Sequence, residues 1–85
     1  MNLEDYRREI DRINHEIVDL VGKRVNVAKE IGTYKEENDL DVVDEGREEK
    51  VKQQFEKLFD NEYLSPEKGR EMAELLIEIS TEAQK

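Results

Sequence analysis

The sequence predicts an all-α protein with three helices per chain, assembled as an intertwined helical homodimer. Pro66 is the only proline and the four glycines are scattered, so long helices are permitted along almost the whole chain. No run of residues alternates between β-branched and polar types, as strands would require. The first third of the chain instead carries a coiled-coil-like stripe that is longer than a monomeric bundle of this size needs.

The first helix is predicted over about residues 3–37. We call its apolar face the α1 stripe, which comprises Tyr6, Ile10, Ile13, Ile17, Leu20, Val27, Ile31 and Tyr34. About 33 helical residues at ~1.5 Å each give a rod of ~50 Å. A rod of that length is expected to bury much of its stripe against another chain, which is the origin of the predicted dimer. The polar residues 36–41 form the turn that follows.

Two shorter helices complete a single domain over residues 1–85. The second, at about 44–59, carries on one side Val51, Phe55, Leu58 and Phe59. The third, at about 66–84, starts at Ser65-Pro66-Glu67, where serine is the N-cap, proline takes the first helical position and an acid follows. Its apolar stripe comprises Met72, Leu75, Leu76, Ile79 and Ala83.

Composition excludes several classes of function. The net charge is −9, from 23 acidic and 14 basic residues, which argues against nucleic acid or an anionic membrane as a partner. The absence of cysteine excludes thiolate metal sites, and one histidine is too few for a histidine-based site, so no metal is expected. The acidic N-terminus is unlike a secretory signal, and no stretch approaches the ~20 apolar residues of a membrane span. We expect a cytoplasmic protein.

Polar residues interrupt the apolar face of the first helix. Arg24 lies where the stripe should continue, and Lys35, eleven residues later, lies about 20° away around the helix. The two cations bracket Ala28 and Ile31. An arginine in such a position is costly unless it pairs with an anion, so Arg24 is either an interhelical ion pair or a ligand-binding group. The residues alone slightly favour the structural interpretation.

The other two helices carry similar polar positions. On the third, Ser80 and Gln84 continue the row of Leu76 at spacings of four, although Ser80 could bond its own backbone and Gln84 could lie in solvent. On the second, Asp44 and Glu48 lie one turn apart with Arg47 beside them. In so acidic a chain each acid could be a surface charge, or, for Asp44, an N-cap.

Taken together, these positions resemble a known family. The matching segments are Tyr6-Arg7-Arg8-Glu9-Ile10-Asp11, Lys23-Arg24, Ala28-x-x-Ile31-Gly32-x-x-Lys35, Asp44-x-x-Arg47-Glu48 and Leu76-Ile77-Glu78-x-Ser80-x-x-x-Gln84. In order and spacing they resemble the helical chorismate mutases of the AroQ class over nearly the whole chain. The resemblance implies a homodimeric, cofactor-free isomerase that converts the dianion chorismate to prephenate in phenylalanine and tyrosine biosynthesis.

The resemblance also implies a role for each site residue. Arg24 and Arg7 of the partner subunit would hold the two carboxylates of chorismate, with help from Ser80. Lys35 and Gln84 would donate to the ether oxygen whose bond to the ring breaks. The ring hydroxyl would be held by Glu48 and the backbone near Asp44, and Arg47 would position Glu48. The apolar walls would be formed by Ile31, Val51 and Ile77.

Two alternatives stay open at this point. An isochorismate-pyruvate lyase resembles the same fold and shares the arginine–lysine core, but as a group it lacks the Asp-x-x-Arg-Glu arrangement found here at Asp44–Glu48. A non-catalytic helical dimerisation module would explain the long rod and the acidity, but gives no reason for Ser80 and Gln84 to accompany Arg24 and Lys35.

Overall fold

The computed structural model describes all 85 residues and contains three α-helices and no strand, which confirms the predicted all-α fold. Helix α1 spans Leu3–Glu37, α2 spans Glu45–Leu58 and α3 spans Pro66–Gln84. None of the three is both long enough and apolar enough to cross a membrane.

Each helix begins at a side chain that satisfies free backbone donors. At the start of α1, Asn2 and Asp5 form a capping box, in which each side chain accepts from the backbone N–H of the other residue, at 3.0 and 3.1 Å. The Asp44 carboxylate accepts from the Arg47 N–H at 3.0 Å, and the Ser65 hydroxyl accepts from the Lys68 N–H at 3.3 Å. These caps are local, which explains why the sequence alone indicates where the helices start.

Helix α3 is the central element, because α1 and α2 both pack against it and their backbones do not approach each other. The small core lies along α3 and comprises Ala28, Val51, Ala73 and Leu76. Gly69 lets α2 come close, since a Cβ there would lie 2.5 Å from the Phe55 carbonyl oxygen and 2.7 Å from the Phe59 Cβ. The rings of Phe55 and Phe59 stack beside it with centroids 6.2 Å apart.

The buried face of each shorter helix differs in part from the predicted one. Leu58 was expected on the packed side of α2, yet it is 64% exposed, because Phe59 takes the position beside Gly69. On α3, Met72 and Leu75 are exposed, while Ala73, which the apolar pattern did not single out, is completely buried. A small residue is buried there because helices that pack closely leave room only for a methyl group.

An ionic cluster also joins α2 to α3. Arg70 of α3 donates to Glu49 at 3.2 Å and to Glu56 at 2.8 Å, both on α2. The hydrogen bond from Arg70 lowers the pKa of Glu49, and the two carboxylates in turn raise the pKa of Arg70. The cluster lies outside the cavity described below and fixes the relative position of the two helices.

The chain is too extended to be a compact monomer. It measures 55 × 24 × 13 Å, and its radius of gyration is 16.0 Å, against about 12 Å for a compact domain of this length. Its accessible surface is 7,020 Å², against about 5,300 Å² for a folded monomer of this mass. The excess arises largely from α1, whose stripe residues are between 43% and 63% exposed.

Candidate active site

A cavity of about 510 Å³ opens between the second half of α1, the start of α2 and the last turns of α3. This volume is in the usual range for a site that binds one small molecule. Seven of the eight site residues expected from the sequence line it, namely Arg24, Lys35, Asp44, Arg47, Glu48, Ser80 and Gln84. The three expected apolar wall residues, Ile31, Val51 and Ile77, line it as well.

Arg24 reaches across from α1 to α3. Its Nη1 donates to the Leu76 carbonyl oxygen at 3.1 Å and to the Ser80 hydroxyl. Both acceptors are neutral, so Arg24 is not the interhelical ion pair that the sequence left open. Burial and the nearby Arg47 cation lower the pKa of Arg24, and no carboxylate forms an ion pair with it. Most of its five N–H donors stay available to a ligand.

Lys35 and Gln84 form the second polar contact between α1 and α3. The Lys35 ammonium donates to Gln84 Oε1 at 2.9 Å and to the Val42 carbonyl oxygen at 2.7 Å. Because an ammonium has three donors, one N–H of Lys35 is free. Gln84 Oε1 accepts this hydrogen bond with one of its two lone pairs, and the amide nitrogen carries two further N–H donors.

The turn after α1 helps to hold Lys35. Asp39 adopts a left-handed conformation with φ of 52°, and the Leu40 N–H donates to the Lys35 carbonyl oxygen at 2.8 Å. This is the hydrogen bond of a Schellman motif, which ends a helix and reverses the chain. The reversal brings the Val42 carbonyl oxygen over the Lys35 ammonium. The turn therefore contacts Lys35 at two groups, its backbone carbonyl and its ammonium.

The first turn of α2 supplies the acids of the cavity. The Asp44 carboxylate is the N-cap of α2, an alternative that the sequence had raised for it, and it still borders the cavity. Glu48 lies one turn further on and is partly buried. The Arg47 guanidinium also lines the cavity, but it is not within ion-pairing distance of Glu48 in the chain as folded.

The charge of the cavity is opposite to that of the chain. Four cations line it, Lys23, Arg24, Lys35 and Arg47, against two acids, Asp44 and Glu48. The chain as a whole carries −9. Since the positive charges are concentrated in a partly enclosed space, the cavity favours a small anion although the surrounding surface repels one.

Arg7 is the one expected site residue that the fold keeps away from the cavity. It lies seventeen residues before Arg24 on the same helix, which separates the two by about 25 Å. Its guanidinium pairs with Glu4 at 2.8 Å, and both side chains are exposed.

Some lining residues were given no role at the site by the sequence analysis. Val42 contributes a backbone carbonyl, and carbonyls carry no signal in a sequence. Val27, Thr81 and Lys23 also border the cavity. Lys23 directly precedes Arg24 in a segment that matches the family. This adjacency was the only feature of the sequence that could have indicated a place for Lys23 at the cavity.

The fold and the site define a small all-helical protein with a cationic pocket for a compact anion. Residues 6–85 match the family model of chorismate mutase type II. The chain therefore belongs to the chorismate mutase type II family, and membership supports chorismate mutase activity, which is an isomerisation. A solved structure from Pyrococcus furiosus, described as a conserved hypothetical protein, is 32% identical, with a TM-score of 0.79 over 98% of this chain and 95% of that one. No curated protein matches the chain.

Proposed function

We propose that the protein converts chorismate to prephenate in a site that each subunit of a homodimer completes for the other. The observation that carries the proposal is the set of free hydrogen-bond donors around one cavity, from Arg24, Lys35 and Gln84. The reaction is a unimolecular rearrangement, in which one C–C bond forms as the C–O bond to the ether oxygen breaks. It requires no nucleophile, and no serine or cysteine nucleophile with a paired base lines the cavity.

The donors suit the charge that develops during this reaction. The free N–H of Lys35 and the amide group of Gln84 face the ether oxygen, which becomes more negative as its bond to the ring lengthens. Such fixed donors stabilise the transition state more than the substrate, and this difference raises the rate. Arg24, supported by Ser80, binds a carboxylate and holds the flexible enolpyruvyl arm in a reactive pose. Glu48 accepts from the ring hydroxyl. Arg47 does not pair with Glu48 in the chain as folded, and it adds positive charge to the same cavity.

The α1 stripe provides the dimer interface. The chain exposes roughly 1,700 Å² more surface than a compact monomer of its mass, and obligate homodimers bury about 1,000–2,500 Å² per subunit. The section of α1 before residue 21 is exposed at every residue except Asp5, which is half-buried, and it carries five members of the stripe. Pairing of this section with a second copy covers those apolar side chains and explains the elongated shape.

The dimer also gives Arg7 a function. Because Arg7 cannot reach the cavity of its own chain, it enters that of the partner, where it binds the second carboxylate. Breaking its contact with Glu4 has a small energetic cost, since exposed ion pairs contribute about 0–1 kcal/mol. Two identical sites result, as the two-fold symmetry of a homodimer requires.

An assay with purified protein tests the activity. We expect saturable loss of chorismate with one prephenate formed per chorismate, verified by acid conversion of prephenate to phenylpyruvate. Release of pyruvate from isochorismate, with chorismate unchanged, would instead identify a lyase. A folded dimer that acts on neither substrate would contradict the enzymatic proposal. Light scattering should give twice the chain mass of 10.1 kDa.

Mixing two inactive variants tests the shared site. Arg7→Ala and Arg24→Ala should each be nearly inactive alone. When the two are co-refolded in equal amounts, half of the dimers are mixed, and each mixed dimer has one intact site, so activity should recover to about a quarter of wild type. Arg8→Ala is the matched control and should stay active. No recovery in verified mixed dimers would show that Arg7 acts within its own chain. An Arg7→Ala variant that is active alone would show that Arg7 has no role in catalysis.

A further inference from the structure

Helices α1 and α3 approach each other closely at Gly32, which lies beside the cavity residues Ile31 and Gln84. Gly32 is buried in α1, one turn before Lys35. A Cβ built on Gly32 would lie 2.8 Å from Gln84 Cα, 2.9 Å from its carbonyl oxygen and 3.2 Å from its carbonyl carbon. These atoms belong to the backbone of α3, so rotation of a side chain cannot relieve the overlap. Any residue larger than glycine at position 32 must therefore displace the last turn of α3.

The hydrogen bond between Lys35 and Gln84 depends on this approach. Lys35 extends from the next turn of α1, and its ammonium meets Gln84 Oε1 at 2.9 Å. The backbone of Gln84 would have to retreat by about half an ångström or more to reach ordinary van der Waals contact with a Cβ at position 32. A shift of this size moves the amide group away from Lys35 and from the reacting atoms.

We propose that Gly32 is a positioning residue for catalysis. Because Gly32 has no side chain, the last turn of α3 packs closely against α1, and this packing holds Gln84 against Lys35. This inference rests on the proposed mutase activity, because it assigns Gln84 a role at the ether oxygen. Gly32 touches no substrate and acts only through Gln84. Its role differs from that of Gly69, where the same lack of a side chain joins α2 to α3 away from the cavity.

The structure predicts that Gly32→Ala impairs catalysis more than folding. The last turn of a helix has few further hydrogen bonds to hold it, so it can move while the rest of α3 stays in place. Alanine also favours the helix over glycine, which offsets the lost contact. We expect kcat to fall about 10- to 100-fold, with KM changed little and the melting temperature close to wild type.

Gly22→Ala is the matched control, since Gly22 lies in the same helix and nothing lies within 4 Å of a Cβ built there. This variant should keep wild-type kcat and melt at a higher temperature. In a double-mutant cycle, Gly32→Ala should cause no further loss of kcat once Gln84 is replaced by alanine, because its effect passes through that side chain. If the fold-losses in kcat caused by the two substitutions multiplied in the double variant, the inference would be overturned. A Gly32→Ala protein that does not fold would also overturn it.

A spectroscopic measurement separates this inference from the proposed function. In ¹H–¹⁵N spectra of the full chain without substrate, Gly32→Ala should shift the side-chain amide signals of Gln84, and Gly22→Ala should leave them in place. If the wild-type protein fails to convert chorismate, the proposed activity is wrong, and the Gln84 signals still test the packing. Unshifted Gln84 signals, or a Gly32→Ala variant with wild-type kcat, would overturn the positioning role.

Discussion

Replacement of Lys35 by alanine should lower kcat by about 100- to 1,000-fold, which corresponds to ~3–4 kcal/mol of lost transition-state stabilisation. The expected loss is large because Lys35 contributes in two ways. In the proposed site its free N–H donates to the ether oxygen, and its contact with Gln84 Oε1 orients the second donor. Substrate binding should change much less, because in the proposed site the arginines hold the carboxylates and the ether oxygen gains charge mainly in the transition state.

Steady-state kinetics with chorismate measures this effect, and a neighbouring lysine provides the control. Lys29 lies on the exposed side of the same helix, so Lys29→Ala removes an equal charge outside the cavity and should keep near-normal kcat. A Lys35→Ala enzyme with normal kcat and only a raised KM would contradict the assignment, because that pattern indicates a group that binds substrate and transition state equally.

Replacement of Arg24 by leucine should abolish most of the activity while leaving the protein folded. Each hydrogen bond between charged groups is worth about 1.5–3 kcal/mol, so loss of a two-pronged contact with a carboxylate should lower kcat/KM by roughly 100-fold or more. The melting temperature should stay level or rise, because leucine removes a partly buried cation whose pKa is already lowered by burial and by Arg47.

Kinetics and thermal melting together distinguish the enzyme from a helical dimerisation module. Arg24→Lys keeps the positive charge but lacks the planar fork of donors, so it should recover only part of the lost activity. If Arg24→Leu were fully active, the proposed binding of a chorismate carboxylate by Arg24 would be wrong. If it lost both activity and folding, the hydrogen bonds to Leu76 and Ser80 would be structural supports of the bundle.

Much of the candidate site could be predicted because its residues interrupt simple patterns. Arg24 and Lys35 stand on an otherwise apolar face, and Ser80 and Gln84 continue the row of Leu76. Seven of the eight expected residues line one cavity. The pattern could not show that Arg24 binds neutral acceptors, because its contact with Ser80 joins residues 56 positions apart. Nor could it show the Val42 carbonyl over Lys35, which depends on the left-handed turn at Asp39.

The buried residues were less predictable than the helices. Leu58 and Leu75 have side chains suited to a core, but the structure exposes both and buries Ala73 completely. Exposure of Tyr6 and Tyr34 has a related cause, since a single chain offers no surface that could cover the α1 stripe. Hydrophobicity indicates that a face will be covered, whereas the helix crossing decides which side chains lie at the contact.

The sequence by itself determined the all-helical character of this protein and the start of each helix, because caps, proline and residue periodicity act within about one turn of the chain. It also determined which polar groups share a helical face. Only the tertiary structure decided that Gln84 meets Lys35, across 49 positions of sequence. The physical reason lies at Gly32, where two backbones approach so closely that no side chain fits. Such an approach depends on how whole helices cross, and no local pattern encodes it.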